Sequence, residues 1–333
     1  MNLPKNWWKD ISKKMSILPS FEINLDEKIQ PNTFTIGNFL HGERPCFAAA
    51  TRTQKIFVYD PRATNGPKKR YLNINRSVSS LTSGRLLPDG KDSLIVGLHT
   101  DLLAYDVERN REIFFKDVPD GANVVACKRN SKNKSAFLVV GGNCTVQGLD
   151  GNGEEMFWTV TGDNVSALTL DPEKEGRYVV GSEDYEIRRF KQDELRATIT
   201  ENDVVTQLCY LDSSSKTIGY GLKNGTIGVY QGERRRWRIK SKHKVLAMCA
   251  FDLNGDGVDE LITGWSNGRL DVRDVNTGRV IYREKLSDAV TALKRCDFRG
   301  NGEDHLVCCT VGVVSLIHSL TQSLTHSLNQ SIR

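Results

Sequence analysis

The sequence predicts an all-β fold, a seven-bladed β-propeller with an incomplete last blade, and three observations carry that prediction. First, a strand–turn–strand unit recurs, clearest in "CFAAATRTQKIFVYD", "SLIVGLHTDLLAYD", "FLVVGGNCTVQGLD", "YVVGSEDYEIRRF", "TIGYGLKNGTIGVY" and "ELITGWSNGRLDVRD", and begun again in "HLVCCTVGVV". Second, aligned on Ala50, Gly97, Gly141, Gly181, Gly221, Gly264 and Cys309, the units lie 40 to 47 residues apart, the period of a propeller blade. Third, the aligned position is held by a small residue, as close approach between neighbouring backbones demands.

Each unit is preceded by a further short strand, as in "SVSSLTSGRLL", "NVVACKRN", "NVSALTL", "VVTQLCYL", "KVLAMCAF" and "AVTALKRC". A four-stranded antiparallel sheet cannot bury both faces alone, so several must pack radially around an axis to share a core. The propeller is expected over residues 15–311. Residues 1–14, with "NWWKD" ahead of Met15, form an atypical N-terminal extension, read as a ragged or alternative start rather than a short interfacial helix. Residues 312–333 turn into the Ser-Leu repeat "VVSLIHSLTQSLTHSLNQSIR", a low-complexity tail that abandons the blade pattern. The seventh blade is therefore expected to lack its outer strands.

With 38% hydrophobic and 26% charged residues, the chain falls in the globular range, and no run of about 18 uncharged apolar residues offers a membrane span. The N-terminal segment lacks the continuous apolar stretch of a signal peptide, so a cytosolic chain is expected. The eight cysteines show no C-x-x-C pair and no zinc spacing, which reads as buried, reduced thiols. Most of the net charge of +5 lies in the first fourteen residues and at Arg333. A near-neutral body gives no electrostatic ground for nucleic-acid binding.

One loop has the chemistry of a cation site. In "FDLNGDGVDELITGW", Asp252, Asn254, Asp256, Val258 and Glu260 stand at alternate positions, with Gly257 after the third. Three carboxylates, an amide and the Val258 carbonyl are hard oxygen donors of the kind calcium takes. Position twelve is Thr263 within a strand, so the loop is no EF-hand. The nine-position form between two strands is similar to the calcium loops of integrin-type propeller repeats. The alternative is a tight turn, because Asn-Gly and Asp-Gly supply positive φ angles. The analogous "CDFRGNGEDHL" keeps Asp297, Asn301 and Asp304 but loses a middle acid, and is read as a turn.

The basic stretch "ERRRWRIKSKHK", Glu233 to Lys244, is read as an outermost blade strand whose charges discourage edge pairing, in preference to a nucleic-acid surface; an acidic protein partner stays open. In "FWTVTGDNV", Phe157 and Trp158 are assigned to blade packing. No G-x-S-x-G, Walker loop or H-E-x-x-H occurs, and nothing pairs a nucleophile with a base in sequence, so no enzyme is expected.

Colinear stretches from about Met15 to Val311, among them "FAAATRTQKIFVYDP", "LLAYDVERNREIFFKDVPDGANVV", "VVGGNCTVQGLDGNGEEMFWTVTGDNVSAL" and "AFDLNGDGVDELITGWSNGRLDVRD", resemble the N-terminal β-propeller of the Bardet-Biedl syndrome 2 family of BBSome subunits. The resemblance implies a non-catalytic subunit of a coat-like complex that carries membrane-protein cargo to and from the primary cilium. It implies no required cofactor, with calcium confined to the 252–260 loop. Its implied partners are the other BBSome subunits, including the Bardet-Biedl syndrome 7 protein, a contact weakened without the family's coiled coil. Cargo and membrane would be met only through the complex, and nucleic acid not at all. The implied locations are cytoplasm, cilium, ciliary basal body and centriolar satellites. From Gly312 the tail departs from the family pattern, as read-through into non-coding sequence would, and in "TLDPEKEGRYVVG" Pro172 and Lys174 stand where the family has metal-type residues. A metal-dependent ligand-binding propeller of integrin-like type is the rival reading.

Overall fold

The structure, a computed structural model, describes residues 21–40, 44–63, 67–74, 76–87, 90–129, 136–212 and 216–317. These form seven four-stranded antiparallel sheets, and no helix occurs among them. Blade one runs through strands Ile29–Gly37, Cys46–Thr51, Ile56–Tyr59 and Lys69–Leu72, innermost first. Blades two to six repeat that order, starting at Val78, Val124, Val165, Val205 and Val245. Each innermost strand contacts that of the next blade, and the innermost strand of blade seven, Val290–Cys296, returns to that of blade one. That closed ring is what makes the seven sheets a propeller rather than a stack.

Packing between blades explains the aligned small residues. The second strand of a blade is buried on both faces, as in Ser93–Leu98, Thr217–Leu222, Glu260–Trp265 and His305–Thr310. A Cβ built on Gly141, Gly181, Gly221 or Gly264 would lie within 2.8 Å of Val165, Val205, Val245 or Val290, the first residue of the next blade's inner strand. The valine takes the space the glycine leaves. A β-bulge follows the first valine of blades two, four, five, six and seven, turning the skipped residue out of the ladder. In blades two and four that residue is Ser79 or Ser166, whose hydroxyl donates to a carbonyl in the lead-in to the next blade, Ala122 at 2.5 Å, or in its inner strand, Val205 at 2.7 Å.

The last blade corrects one expectation: it is complete. Val313–Ile317 pairs with His305–Thr310, and Phe21–Asn24 adds as the fourth strand, with Glu22 opposite Ser315 and Ile23 opposite Val314. Leu25 and Ile29 continue the seal by donating to the carbonyls of Gly312 and Val311 at 2.9 and 2.8 Å. Val314 and Ile317 point into the core, so the first turn of the Ser-Leu repeat still carries the apolar positions of a strand. The fourth strand comes from the opposite end of the chain, where a scan for consecutive units does not look. Residues 1–14 and 318–333, the extension and the rest of the tail, lie outside the described residues.

Candidate functional site

The carboxylate loop joins the inner strand of blade six, Val245–Phe251, to its second strand, Glu260–Trp265. Gly255 and Gly257 hold φ angles of 74° and 85°, which an L side chain would strain. Asp252 organises the turn: its Oδ1 accepts from the Gly255 and Asp256 amides and its Oδ2 from the Gly257 amide, at 2.7, 3.2 and 2.8 Å. Asn254 Oδ1 accepts from Asp256 N–H at 2.8 Å, while its Nδ2 donates to Glu260 Oε1 at 2.6 Å. Val258 exposes its side chain, and only its carbonyl could serve a cation.

Carboxylate oxygens of Asp252, Asp256 and Glu260 all lie within 4.8 Å of one another. Glu260 is buried and Asp256 exposed, so the cluster opens to solvent on one side. Burial pushes the Glu260 carboxyl up to about 8; the Leu253 N–H opposes the rise, and the Asp256 and Asp252 charges add to it. Three converging carboxyl groups, one of them buried, suit a divalent cation with oxygen preference, whose charge would draw the proton off Glu260. The blade-seven loop shares the turn and not the site. Asp297 accepts from the amides of Gly300, Asn301 and Gly302 at 2.7, 3.1 and 2.8 Å, but the positions matching Asp256 and Glu260 are Asn301 and His305. Asp304 is held by Arg295 at 2.5 Å.

The central channel, of about 180 Å³, is lined by all seven inner strands. Among its described lining residues there is no carboxylate, histidine or cysteine, and its one cation is the exposed Lys294. Ser166, Thr206 and Thr291 donate their hydroxyls to backbone carbonyls. All eight cysteines are free, and Cys144 alone is exposed, in a turn where the sequence reading expected burial.

The outer walls differ from blade to blade. The basic stretch forms the outermost strand of blade five, Arg234–Lys240, as its sequence suggests. Trp237 turns inward: its indole N–H donates to the Val275 carbonyl at 2.8 Å, and Gly278 leaves room for its ring. Phe157 packs as expected, with ring centroids 6.0 Å from Phe137 and 5.9 Å from Tyr178. Trp158 does not: it is 50% exposed beside Met156 and Val160 on the outer strand of blade three. By register, Tyr71, Phe115 and Trp158 occupy the same outward position on blades one to three, filled on blades four to six by Thr198, Arg238 and Arg283. Sequence reasoning could have found that split only by aligning the outer strands through their bulges.

Comparison with known proteins bears on the whole ring. Family profiles described as "Ciliary BBSome complex subunit 2, N-terminal" and "middle region" match residues 35–128 and 166–273. The chain is 44% identical over 312 residues to "BBSome complex member BBS2" of Homo sapiens, covering 89% of this chain and 43% of that one. The chain belongs to the family of BBSome complex subunit 2. The worm relative "BBSome complex member bbs-2" of Caenorhabditis elegans is 32% identical over 275 residues, covering 82% of this chain and 36% of that protein. The chain thus spans less than half the length of the subunit 2 relatives it matches. In fold it is similar to BBS1N, crystallised in complex with ARL6DN, with a TM-score of 0.77 at 16% identity over 91% of this chain and 97% of that one.

Proposed function

We propose that this chain is a non-catalytic docking subunit of the BBSome, the coat-like complex that traffics membrane-protein cargo to and from the primary cilium. The 44% identity extending across 89% of the chain carries the reading. A propeller suits the task, because a rigid ring presents many short loops and outer strands around one core. The partners proposed are other BBSome subunits, the Bardet-Biedl syndrome 7 protein among them, with cargo and membrane met through the complex. The proposed locations are cytoplasm, cilium, basal body and centriolar satellites. The integrin-like rival gains no support from these relatives. The test is to express the tagged chain in ciliated cells and recover it under mild salt. Co-purification of BBSome subunits with ciliary signal is expected; a folded chain that recovers no BBSome subunit overturns the reading.

We propose in addition that the Asp252–Glu260 loop takes calcium as a local brace, with Asp252, Asn254, Asp256, Val258 and Glu260 as its oxygen donors. The convergence of three carboxylates within 4.8 Å supports it. Binding to the folded chain alone raises the melting temperature in proportion to the logarithm of calcium concentration above the dissociation constant. Calorimetric titration should give one site that Asp256→Asn weakens. An unchanged melting temperature at millimolar calcium refutes the brace.

A further inference from the structure

We infer that the outer wall of blade five is a docking surface for an acidic, extended segment of a protein partner. Arg234, Arg238, Lys240, Lys242 and Lys244 are exposed in succession along this strand and the turn after it. Among the described residues none of the five has an acidic partner, whereas three arginines of this and the neighbouring walls do. Arg196 pairs with Glu194 on blade four, Arg283 with Asp271 on blade six, and Arg235 of the same strand with the buried Glu201. The row also stands clear of its own sheet. Opposite Arg238 in the ladder is Gly228, and opposite Lys240 is the buried Thr226, so neither side chain is screened by a cross-strand neighbour.

The arrangement selects among polyanions. Residues two apart on a strand lie roughly 7 Å apart, which is also the spacing of same-face side chains in an extended peptide. The strand is the last of its sheet, so its outer backbone groups are available to an added strand. Backbone pairing would supply affinity, and alternate Asp or Glu side chains would meet Arg238, Lys240 and Lys242. Single-stranded nucleic acid wants an aromatic platform, and Trp237 is turned into the blade. A membrane surface wants apolar side chains beside the charges; none of the large exposed ones is on the blade-five strand, the flanking blades offering only scattered ones such as Leu195 and Val280. The inference concerns this wall alone and stands whether or not the chain enters a BBSome.

The test uses the whole chain and a fluorescent twelve-residue peptide of alternating Glu and Thr, read by anisotropy. Its glutamine counterpart, phosphatidylcholine vesicles with one-fifth phosphatidylserine, and an oligothymidylate serve as comparison probes. The acidic peptide should bind, more weakly as salt rises, and its glutamine counterpart at least about tenfold more weakly. The triple reversal Arg238→Glu, Lys240→Glu, Lys242→Glu should cost about tenfold or more without lowering the melting temperature. Reversing exposed Lys28, Arg52 and Lys191 on other blades should change affinity less than about twofold. The inference is overturned by no binding of the acidic peptide, by equal binding of the glutamine peptide, or by equal losses in both triple variants. It is also overturned if vesicles or oligothymidylate bind the same three residues more tightly than the peptide.

Discussion

The contact between Gly221 and Val245 allows a quantitative test of how blades lock together. A Cβ added at Gly221 would sit 2.7 Å from Val245 Cγ1, about 1 Å inside an ordinary carbon–carbon contact. Val245 is stiff at χ1 and 4% exposed, packed with Ile227, Leu261 and Trp265, so it has little room to retreat. Gly221→Ala should therefore destabilise by about 2 to 3 kcal/mol, at the upper part of the overpacking range. Val245→Ala removes two buried methyl groups, about 1.6 kcal/mol of transfer energy, and the cavity brings the loss to about 2 to 3 kcal/mol. In the double variant the new methyl enters the space the valine vacated. It should lie near either single variant, a favourable coupling of about 2 kcal/mol rather than a sum. Urea unfolding followed by circular dichroism and tryptophan fluorescence, with coincident transitions, measures all four proteins. Additivity within about 0.5 kcal/mol would refute the claim that glycine and valine share one space.

Other outcomes follow from the same contacts. Glu260 keeps its proton to about pH 8 when folded but ionises near the ordinary glutamate value of 4.5 when unfolded, so between those values the unfolded state binds fewer protons and stability falls as pH rises. The full effect is on the order of 5 kcal/mol, and melts without added metal from pH 5 to 8.5 should slope downward, less so in Glu260→Gln. Trp237→Ala should cost about 3 kcal/mol and Trp158→Ala within about 0.5 kcal/mol, since only the first ring fills a blade junction. Val314→Pro breaks the strand between Phe21–Asn24 and His305–Thr310; it should cost about 3 kcal/mol or more and speed hydrogen exchange at Ile23 and Leu25.

What could be read in the sequence was what packing fixes most tightly. The glycines at 141, 181, 221 and 264 and the valines they receive recur because two blades cannot approach otherwise, and so the ring was legible. The carboxylate loop was legible because nine consecutive residues contain it. The closing strand was not, because Phe21–Asn24 and Val313–Ile317 are joined only across the whole chain. Trp158 was misassigned for a different reason: "MFWTV" is apolar at consecutive positions, and a register shift at Gly148/Leu149 decides which ring faces the core. Period alone carries no information about a bulge.

That difference between inner and outer strands also says where a propeller can encode a partner. A second-strand position is buried on both faces, and any change there meets a neighbouring blade. An outward position on the fourth strand meets solvent, so the fold leaves aromatic, hydroxyl and guanidinium side chains equally tolerable there. Tyr71, Phe115 and Trp158 on one arc and Arg238 and Arg283 on another therefore cannot be explained by the stability of the ring. Tyr71 and Phe115 lie under the cations of Lys69 and Arg76, and Arg283 is tied to Asp271, so part of each wall is already satisfied within the chain. On blade five Arg238 and Lys240 have no such internal partner among the described residues. Reversing their charge should therefore leave folding intact and change only what the wall attracts, a separation of stability from binding that no substitution on a doubly buried second strand can give.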